Sequence, residues 1–267
     1  MPFPRVSIIT PTWNREAFLP AIHACARQQT YQNLEWLVHD DSEIPSQELT
    51  QSDWPKLRYF HSKERMSIGE KRNFLISRAQ GEIIVNFDDD DYYASDYVEK
   101  RVASLISSDS LLSISSGFFA YHLNTGHFGY YLPNVKQGLA FLFHRGGVKS
   151  VQLENVNIPY IHLCYGWSYV FRKALWERVR FPDISAFEDR AFVQKAMEFG
   201  PLHMHESRSL DSIHSIHNRS SSNCFPQFII PPFMMLASSP LPGKHMHWLK
   251  EIVRTLNQED PVATGSR

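Results

Sequence analysis

Short apolar runs alternate with stretches of helical periodicity through the first half of the chain. The apolar runs predict buried strands over residues 6–10, 34–40, 57–61 and 83–87. The helical spacing of apolar positions predicts helices over residues 17–29, 68–79 and 95–107, the last with Ser95 as its N-cap. Strands that alternate with helices are typical of an α/β fold with a mostly parallel, twisted sheet and helices on both faces.

The second half of the chain is less regular. Its pattern predicts a strand over residues 111–121, hairpins and long loops over 122–165, and helices over 173–178, 189–199 and 245–257. Composition does not shift sharply along the 267 residues. We therefore predict one continuous domain with an elaborated C-terminal part.

Charge and composition exclude two classes of protein. Hydrophobic residues make up 43% of the chain, and 27 Lys and Arg residues face 28 Asp and Glu residues, for a formal net charge of −1. This balance argues against intrinsic disorder. It also argues against a protein that binds nucleic acid mainly through overall positive charge.

The cysteines and the apolar segments indicate the cellular compartment in which the protein works. Cys25, Cys164 and Cys224 are far apart and form no C-x-x-C pair, so neither a disulfide framework nor a cysteine zinc site is predicted, and a reducing compartment is favoured. The sequence shows no signal peptide and no apolar stretch of the ~20 residues that span a bilayer. We expect a cytoplasmic protein without an integral membrane segment. The apolar, proline-broken residues 225–237 favour core or interface, compatible with peripheral membrane contact and with a homo-oligomer.

Four consecutive aspartates, residues 88–91, directly follow the predicted strand over residues 83–87. Neighbouring carboxylates repel one another unless a cation or hydrogen-bond donors compensate them. Their oxygens suit Mg²⁺ or Mn²⁺. Open α/β sheets bind ligands at the carboxyl ends of their strands, so this position favours a ligand site over a solvated acidic turn.

Other polar segments are ambiguous when each is taken alone. Residues 10–15 and 39–42 follow the first two strands, and residues 69–73 lie in the helix before the aspartate run. Glu188 and Asp189 begin a predicted helix, where carboxylates are stabilised by free N–H groups. Each segment has an ordinary structural interpretation as a loop, a turn, a helix surface or a helix start.

In order and placement, these segments together resemble the family-2 glycosyltransferases of the GT-A fold. Residues 6–15 resemble the opening strand and loop of that family, residues 39–42 its DDxS turn, and residues 69–73 its GxxxARN-like segment. Residues 81–91 resemble the element that carries the D-x-D motif, and residues 187–189 resemble the ED motif. The resemblance covers residues 5 to about 223.

The resemblance implies a metal-dependent inverting glycosyltransferase, in which a nucleotide-sugar, often a UDP-sugar, gives its sugar to an acceptor hydroxyl in a single displacement. Asp189 would be the general base, supported by Glu188. Asp90 would be the principal ligand of Mn²⁺ or Mg²⁺, with Asp88, Asp91 and His217 as further ligands and His214 as an alternative to His217. The implied nucleotide-binding residues are Pro11, Thr12, Arg15, Asp40, Asp41, Arg72, Asp88 and Asp89.

The resemblance also implies a division of the chain and a set of partners. Residues 1–223 would form the catalytic domain, with a nucleotide-sugar-binding half (1–110) and an acceptor half (111–223), and residues 224–267 a C-terminal extension. The partners would be a nucleotide-sugar donor and a saccharide, a lipid-linked saccharide or another hydroxyl acceptor. One alternative is a non-catalytic nucleotide-sugar or carbohydrate-binding protein on the same fold. A nucleotidyltransferase is disfavoured, since no glycine-rich loop follows the first strand.

Overall fold

The computed structural model describes residues 4–132, 137–154, 165–206, 210–220 and 222–230. The chain divides into two compact units, the first made of residues 1–116 and 158–207 and the second of residues 117–157 and 208–267. The units interleave along the sequence, whereas we expected successive halves. The division into a donor half, an acceptor half and an extension stays a prediction about function.

The elements appear in the predicted alternating order. The strands are β1 (Val6–Thr12), β2 (Leu34–Asp40), β3 (Leu57–His61), β4 (Ile83–Asn86), β5 (Tyr92–Tyr93), β6 (Leu112–Ser115), β7 (Phe118–His122), β8 (His127–Tyr131), β9 (Gly138–His144), β10 (Gly147–Leu153), β11 (Val170–Arg172), β12 (Leu202–His205), β13 (Ser212–Ile216) and β14 (Phe228–Ile230). The helices are α1 (Leu19–Arg27), α2 (Gln47–Thr50), α3 (Ile68–Arg78), α4 (Tyr97–Ser107), α5 (Lys173–Arg178) and α6 (Glu188–Ala196), and a 3-10 turn covers Gly166–Ser168.

The first unit is built on a mostly parallel sheet. Its described strands lie in the order β12-β6-β11-β4-β1-β2-β3. Strand β1 pairs in parallel with β2 on one side and with β4 on the other, while β11 runs antiparallel to β4 and β6. The chain extends from β1 through β2 to β3 and then returns to β4 across β1. The direction of strand order therefore reverses between β1 and β4. Open α/β sheets bind ligands at such a reversal.

Apolar burial fixes this sheet and the helix that crosses it. Strand β2 is buried at every position, and β4 is as well. Helix α3 packs Leu75 and Ile76, both 0% exposed, into the same core. Burial of each such side chain contributes roughly 1.5–3 kcal/mol to the free energy of folding. A capping box between Ser67 and Glu70 defines the start of the helix. Because the start is fixed, the polar residues of the first turns of α3 have a defined place against the sheet.

The described part of the second unit consists mainly of β-strands. Strand β7 pairs antiparallel with β8 and parallel with β13, and β8 pairs antiparallel with β14. Strands β9 and β10 form a hairpin. These strands account for the hairpins that we predicted after residue 122.

Two local predictions were wrong. Helix α4 has Asp96 as its N-cap residue instead of Ser95. The strand expected over residues 111–121 is interrupted at Gly117, whose φ of +80° is incompatible with a continuous strand, so β6 and β7 are separate. The predicted helix over 245–257, residues 231–237 of the apolar segment, and Cys164 lie outside the described residues.

In the described ranges, no helix is both long enough and apolar enough to cross a bilayer. Cys25 and Cys224 are buried free thiols. Burial raises the pKa of Cys25 to about 12, so this thiol is not a reactive nucleophile at neutral pH.

The contact between Gly81 and β1 provides a test of the sheet. A Cβ on Gly81 would lie 2.5 Å from the Ser7 backbone nitrogen and 2.7 Å from the Val6 carbonyl carbon. We expect Gly81→Ala to lower the free energy of unfolding by roughly 1–3 kcal/mol, measured by urea denaturation. Gly200→Ala is the control, because its nearest neighbour, Leu111 Cδ1, lies at an ordinary 3.8 Å. Equal stability of the two variants would contradict the tight packing.

Candidate active site

The four aspartates follow β4 at the carboxyl edge of the sheet, next to the end of β1. Asp89 and Asp91 are buried, while Asp88 and Asp90 are partly exposed. Burial, together with the charges of the neighbouring aspartates, raises the pKa of Asp88 and of Asp89. The charged forms of these two carboxylates are therefore disfavoured unless a cation compensates them.

The loop after β1 contacts the aspartate run directly. The Thr12 hydroxyl donates to Asp89 Oδ2 at 2.6 Å. Arg15 lies 3.9 Å from Asp89 Oδ1 and 3.6 Å from Asp90 Oδ2. Asp88 and Asp90 are the better-placed ligands for a cation, because they are partly exposed whereas Asp89 is buried against Thr12. Pro11 is the residue of β1 that precedes Thr12, in register with His39 of β2.

The two acids after β2 are held by donors from the protein itself. Asp40 accepts hydrogen bonds from the Ser42 backbone and hydroxyl and from the Tyr59 hydroxyl. Burial and this hydrogen bond raise the pKa of Tyr59. Asp41, buried completely, accepts from Arg65 at 2.6 Å and from Lys71 at 2.7 Å. Both carboxylates therefore organise the loops, and their contact with a nucleotide stays a prediction.

Lys71 is a site residue to which we assigned no role from the sequence. Its ammonium group, 4% exposed, donates to the Thr12 carbonyl at 2.9 Å and to Asp41 at 2.7 Å. It joins the loop after β1 to the loop after β2. The sequence analysis also assigned no role to Trp13. It is 46% exposed, and the Arg65 guanidinium stacks 3.8 Å from its ring centroid.

Arg72 connects the aspartate run to the ED pair. Its NH2 lies 3.5 Å from Asp88 Oδ1 and 3.6 Å from Glu188 Oε1, and its side chain is only 4% exposed. The Nε and NH1 atoms are buried and have no hydrogen-bond partner among the described residues. A buried guanidinium with open donors is suited to an anionic ligand.

Glu188 and Asp189 begin α6 after a residue in an uncommon conformation. Phe187, the N-cap, has a φ of +63°. Asp189 Oδ1 accepts from the Arg190 backbone N–H at 2.7 Å, and Oδ2 accepts from the Gly166 N–H at 3.0 Å. Burial raises the pKa of both acids, and Arg72 opposes that rise. A carboxylate with a raised pKa is better matched to proton abstraction near neutral pH.

Two further residues that we considered from the sequence are His217 and Trp167. His217 belongs to the second unit, where its Nδ1 accepts from the Arg219 N–H at 3.2 Å, and its role as a metal ligand stays a prediction. Trp167, which we considered for stacking on a sugar or for the core, is 2% exposed and therefore packs as core.

The residues present fit a divalent cation that completes its shell with ligand oxygens. Within the described ranges, no three His, Cys, Asp or Glu side chains are grouped to hold a metal ion. Asp88 and Asp90 are carboxylates in an acid-rich environment, a donor set that suits Mg²⁺ or Mn²⁺. Such an ion would take its remaining ligands from phosphate and water.

A cavity of about 410 Å³ opens beside the loops after β1 and β2. It is lined by Asn14, Asp40, Ser42 and Ile44, among others, and by none of the aspartates at 88–91. Space for a ligand therefore exists at the carboxyl edge beyond the acid cluster.

A family model agrees with this geometry. The model for glycosyl transferase family 2 matches residues 7–177, which contain β1 to β4 and the aspartate run. The chain belongs to glycosyl transferase family 2. The predicted family, the glycosyltransferase class and the GT-A fold are confirmed.

Individual relatives support the assignment. An uncharacterized glycosyltransferase of Haemophilus influenzae is 27% identical over 237 residues, covering 84% of this chain and 85% of that protein. One from Rickettsia bellii is 30% identical over 133 residues, covering 49% of this chain and 19% of the relative. The crystal structure of S. aureus TarS 1-349 in complex with UDP-GlcNAc matches with a TM-score of 0.61 at 18% identity, covering 82% of this chain and 60% of that one. This last likeness is one of fold.

The Lys71–Asp41 pair predicts a cost in stability. Lys71→Met leaves a fully buried carboxylate short of its buried partner, so we expect a loss of about 3–5 kcal/mol in the free energy of unfolding. Arg65→Met is the matched control: its side chain is 51% exposed, and we expect a loss within about 1 kcal/mol. Chemical denaturation measures both. If the two variants lose the same stability, Lys71 is not the main partner of Asp41.

Proposed function

We propose that this family member is a metal-dependent, inverting glycosyltransferase that moves a sugar from a UDP-sugar to an acceptor hydroxyl. The observation that carries the proposal is the position of Arg72 between Asp88 and Glu188. One buried cation joins the acids suited to a metal–diphosphate group with the acids suited to proton abstraction. A site of this kind brings a leaving group and a base to the same reaction centre.

Asp88 and Asp90 are the residues proposed to hold Mn²⁺ or Mg²⁺. When bound, the ion would offset the negative charge that develops on the diphosphate as it leaves. Arg72 adds a second positive charge, and its open Nε and NH1 donors face no protein acceptor among the described residues. Thr12 and Arg15 hold Asp89 in place beside them.

Asp189 is proposed to accept the proton of the acceptor hydroxyl. The acceptor oxygen forms a bond to the anomeric carbon while the bond from that carbon to the diphosphate oxygen breaks. The nucleoside diphosphate leaves with the electron pair, and the configuration at the anomeric carbon inverts. Two backbone N–H groups fix both oxygens of the Asp189 carboxylate, which defines the direction from which the hydroxyl approaches.

UDP-GlcNAc is the first donor to test, because TarS, the fold neighbour described above, has been crystallised with UDP and with UDP-GlcNAc. The acceptor is proposed to be a saccharide or lipid-linked saccharide hydroxyl. UDP release from a panel of UDP-, GDP- and dTDP-sugars, with Mn²⁺ present, identifies the donor. Tight UDP binding without any turnover, donor hydrolysis included, would instead favour a non-catalytic nucleotide-sugar-binding protein.

Replacement of the proposed base tests the reaction. Asp189→Asn keeps the shape of the side chain but removes proton acceptance, so we expect kcat to fall by roughly two orders of magnitude or more. UDP binding should be unchanged. The measurement is UDP release under saturating donor, alongside calorimetry with UDP and Mn²⁺.

Glu198→Gln is the control for that experiment, because Glu198 is an exposed carboxylate that pairs with Lys195 at the end of the same helical segment. Its kcat should match the wild type. Near-normal turnover by Asp189→Asn would refute the assignment of the base.

The proposed metal ligand is tested by binding. Asp90→Ala should weaken UDP binding by roughly tenfold or more, about 1.4 kcal/mol per factor of ten, when Mn²⁺ is present. With EDTA the variant and the wild type should bind UDP equally. Asp96→Ala, which removes a half-exposed aspartate of a surface ion pair, should change neither value. An equal loss for Asp90→Ala with and without metal would contradict the ligand assignment.

A further inference from the structure

An amide side chain interrupts the apolar core strand β4. Asn86 is 1% exposed and follows Ile83, Ile84 and Val85, which are at most 1% exposed. Its Oδ1 has no hydrogen-bond partner among the described residues. A buried polar atom without a partner costs stability, so the Asn86 side chain is unfavourable for the packing of this strand.

The other end of the amide leads to the proposed base. Asn86 Nδ2 donates to the Gly166 carbonyl at 2.8 Å, and the Gly166 N–H donates to Asp189 Oδ2 at 3.0 Å. The Asn86 side chain thus fixes the carbonyl of Gly166, and the N–H of the same residue orients the Asp189 carboxylate. The same turn is held at a second point, since Tyr93 accepts from the Asp88 N–H and donates to the Trp167 carbonyl.

Only glycine fits at the centre of this chain of contacts. A Cβ on residue 166 would lie 2.5 Å from Arg72 NH1 and 3.0 Å from Asp189 Cβ. The 2.5 Å distance is shorter than real Cβ contacts and the 3.0 Å distance is tight, so a larger residue would displace the Arg72 guanidinium and press on Asp189. The absence of a side chain lets the buried cation and the base lie against the same peptide.

We propose that Asn86 and Gly166 are positioning residues for glycosyl transfer: Asn86 fixes the backbone of Gly166 at its carbonyl, and the Gly166 N–H aims the Asp189 carboxylate at the acceptor hydroxyl. The inference rests on the proposed function, in which Asp189 is the base. It assigns a mechanistic role to a polar residue inside the core, two residues before the aspartate run.

The hydrogen bond from the Gly166 N–H also affects the pKa of Asp189, the proposed base. The Gly166 N–H stabilises the charged carboxylate, so a weaker contact raises the pKa of Asp189 further. Arg72 and Glu188 are its charged neighbours, with Asp88 across Arg72 and Tyr169 near the guanidinium. Asn86→Leu removes none of these groups. Less of the base is then ionised at a given pH, and the acid limb of the rate profile moves to higher pH.

The test compares Asn86→Leu with the wild type. Leucine removes the unsatisfied oxygen and also one donor to the Gly166 carbonyl, which still accepts from the Tyr169 N–H at 3.3 Å. We therefore expect the melting temperature to change little while kcat for UDP release falls about tenfold. KM for the UDP-sugar should stay within about twofold. The acid limb should move to higher pH, and the ¹³Cγ titration of Asp189, assigned by its loss in Asp189→Asn, should show the same displacement without any need for turnover.

Two further variants complete the experiment. Gly166→Ala should lower kcat more than Asn86→Leu does, because it displaces Arg72 as well. Ser113→Ala is the control: Ser113 is a fully buried polar residue of β6, its hydroxyl has no partner among the described residues, and we expect no change in the kcat, the acid limb or the Asp189 titration.

The outcomes separate this inference from the proposed function. Normal turnover by Asp189→Asn refutes the base itself. Loss of turnover in Asp189→Asn, with a wild-type kcat and a wild-type Asp189 titration in Asn86→Leu and Gly166→Ala, overturns the positioning role alone. In a third outcome, kcat and the melting temperature of Asn86→Leu both fall while the Asp189 titration is unchanged. Asn86 is then only a structural residue, and the positioning role is overturned.

Discussion

A buried guanidinium is the constraint on which the candidate site depends. Burial alone would lower the pKa of Arg72, but Glu188, Asp88 and Asp189 outweigh that effect and keep it charged. Removing one partner from a buried ionic cluster is costly because the remaining charges lose their compensation. The aspartate run and the ED pair are therefore interdependent, although about 100 residues separate them along the chain. The proposed catalysis would require both acid groups to keep their places around Arg72.

Sheet topology and helix ends place the members of that cluster. Parallel pairing of β1 with β2 and β4 brings three strand ends to one edge. The capping box at Ser67 fixes where α3 begins and so where Lys71 and Arg72 lie. The left-handed conformation of Phe187 turns the chain into α6 directly before the two acids. The glycine at 166 then lets α6 and α3 bring Asp189 and Arg72 against one peptide.

Much of the first unit follows from local sequence patterns, because continuous apolar runs and capped amphipathic helices are encoded by neighbouring residues. Strands β2 and β3 and helix α5 have the predicted bounds, and the aspartate run lies at a strand end as expected. The partners of each acid could not be predicted, since they depend on packing between distant segments. In the sequence, Lys71 is a cation in a polar helix segment like its neighbour Arg72. Its contacts with Thr12 and Asp41 are visible only in the structure. Asn86 did leave a signal, a polar residue in an apolar strand, but only the structure shows that it reaches Gly166.

A crystal structure of the protein with UDP and Mn²⁺ tests the account most directly. The account predicts UDP at the carboxyl ends of β1, β2 and β4, Mn²⁺ held by Asp88 or Asp90 together with the diphosphate, and a hydrogen bond from Arg72 to the ligand. UDP bound away from that edge, or bound there with Arg72 making no contact to it, would contradict the central claim that this buried cation joins the donor site to the base.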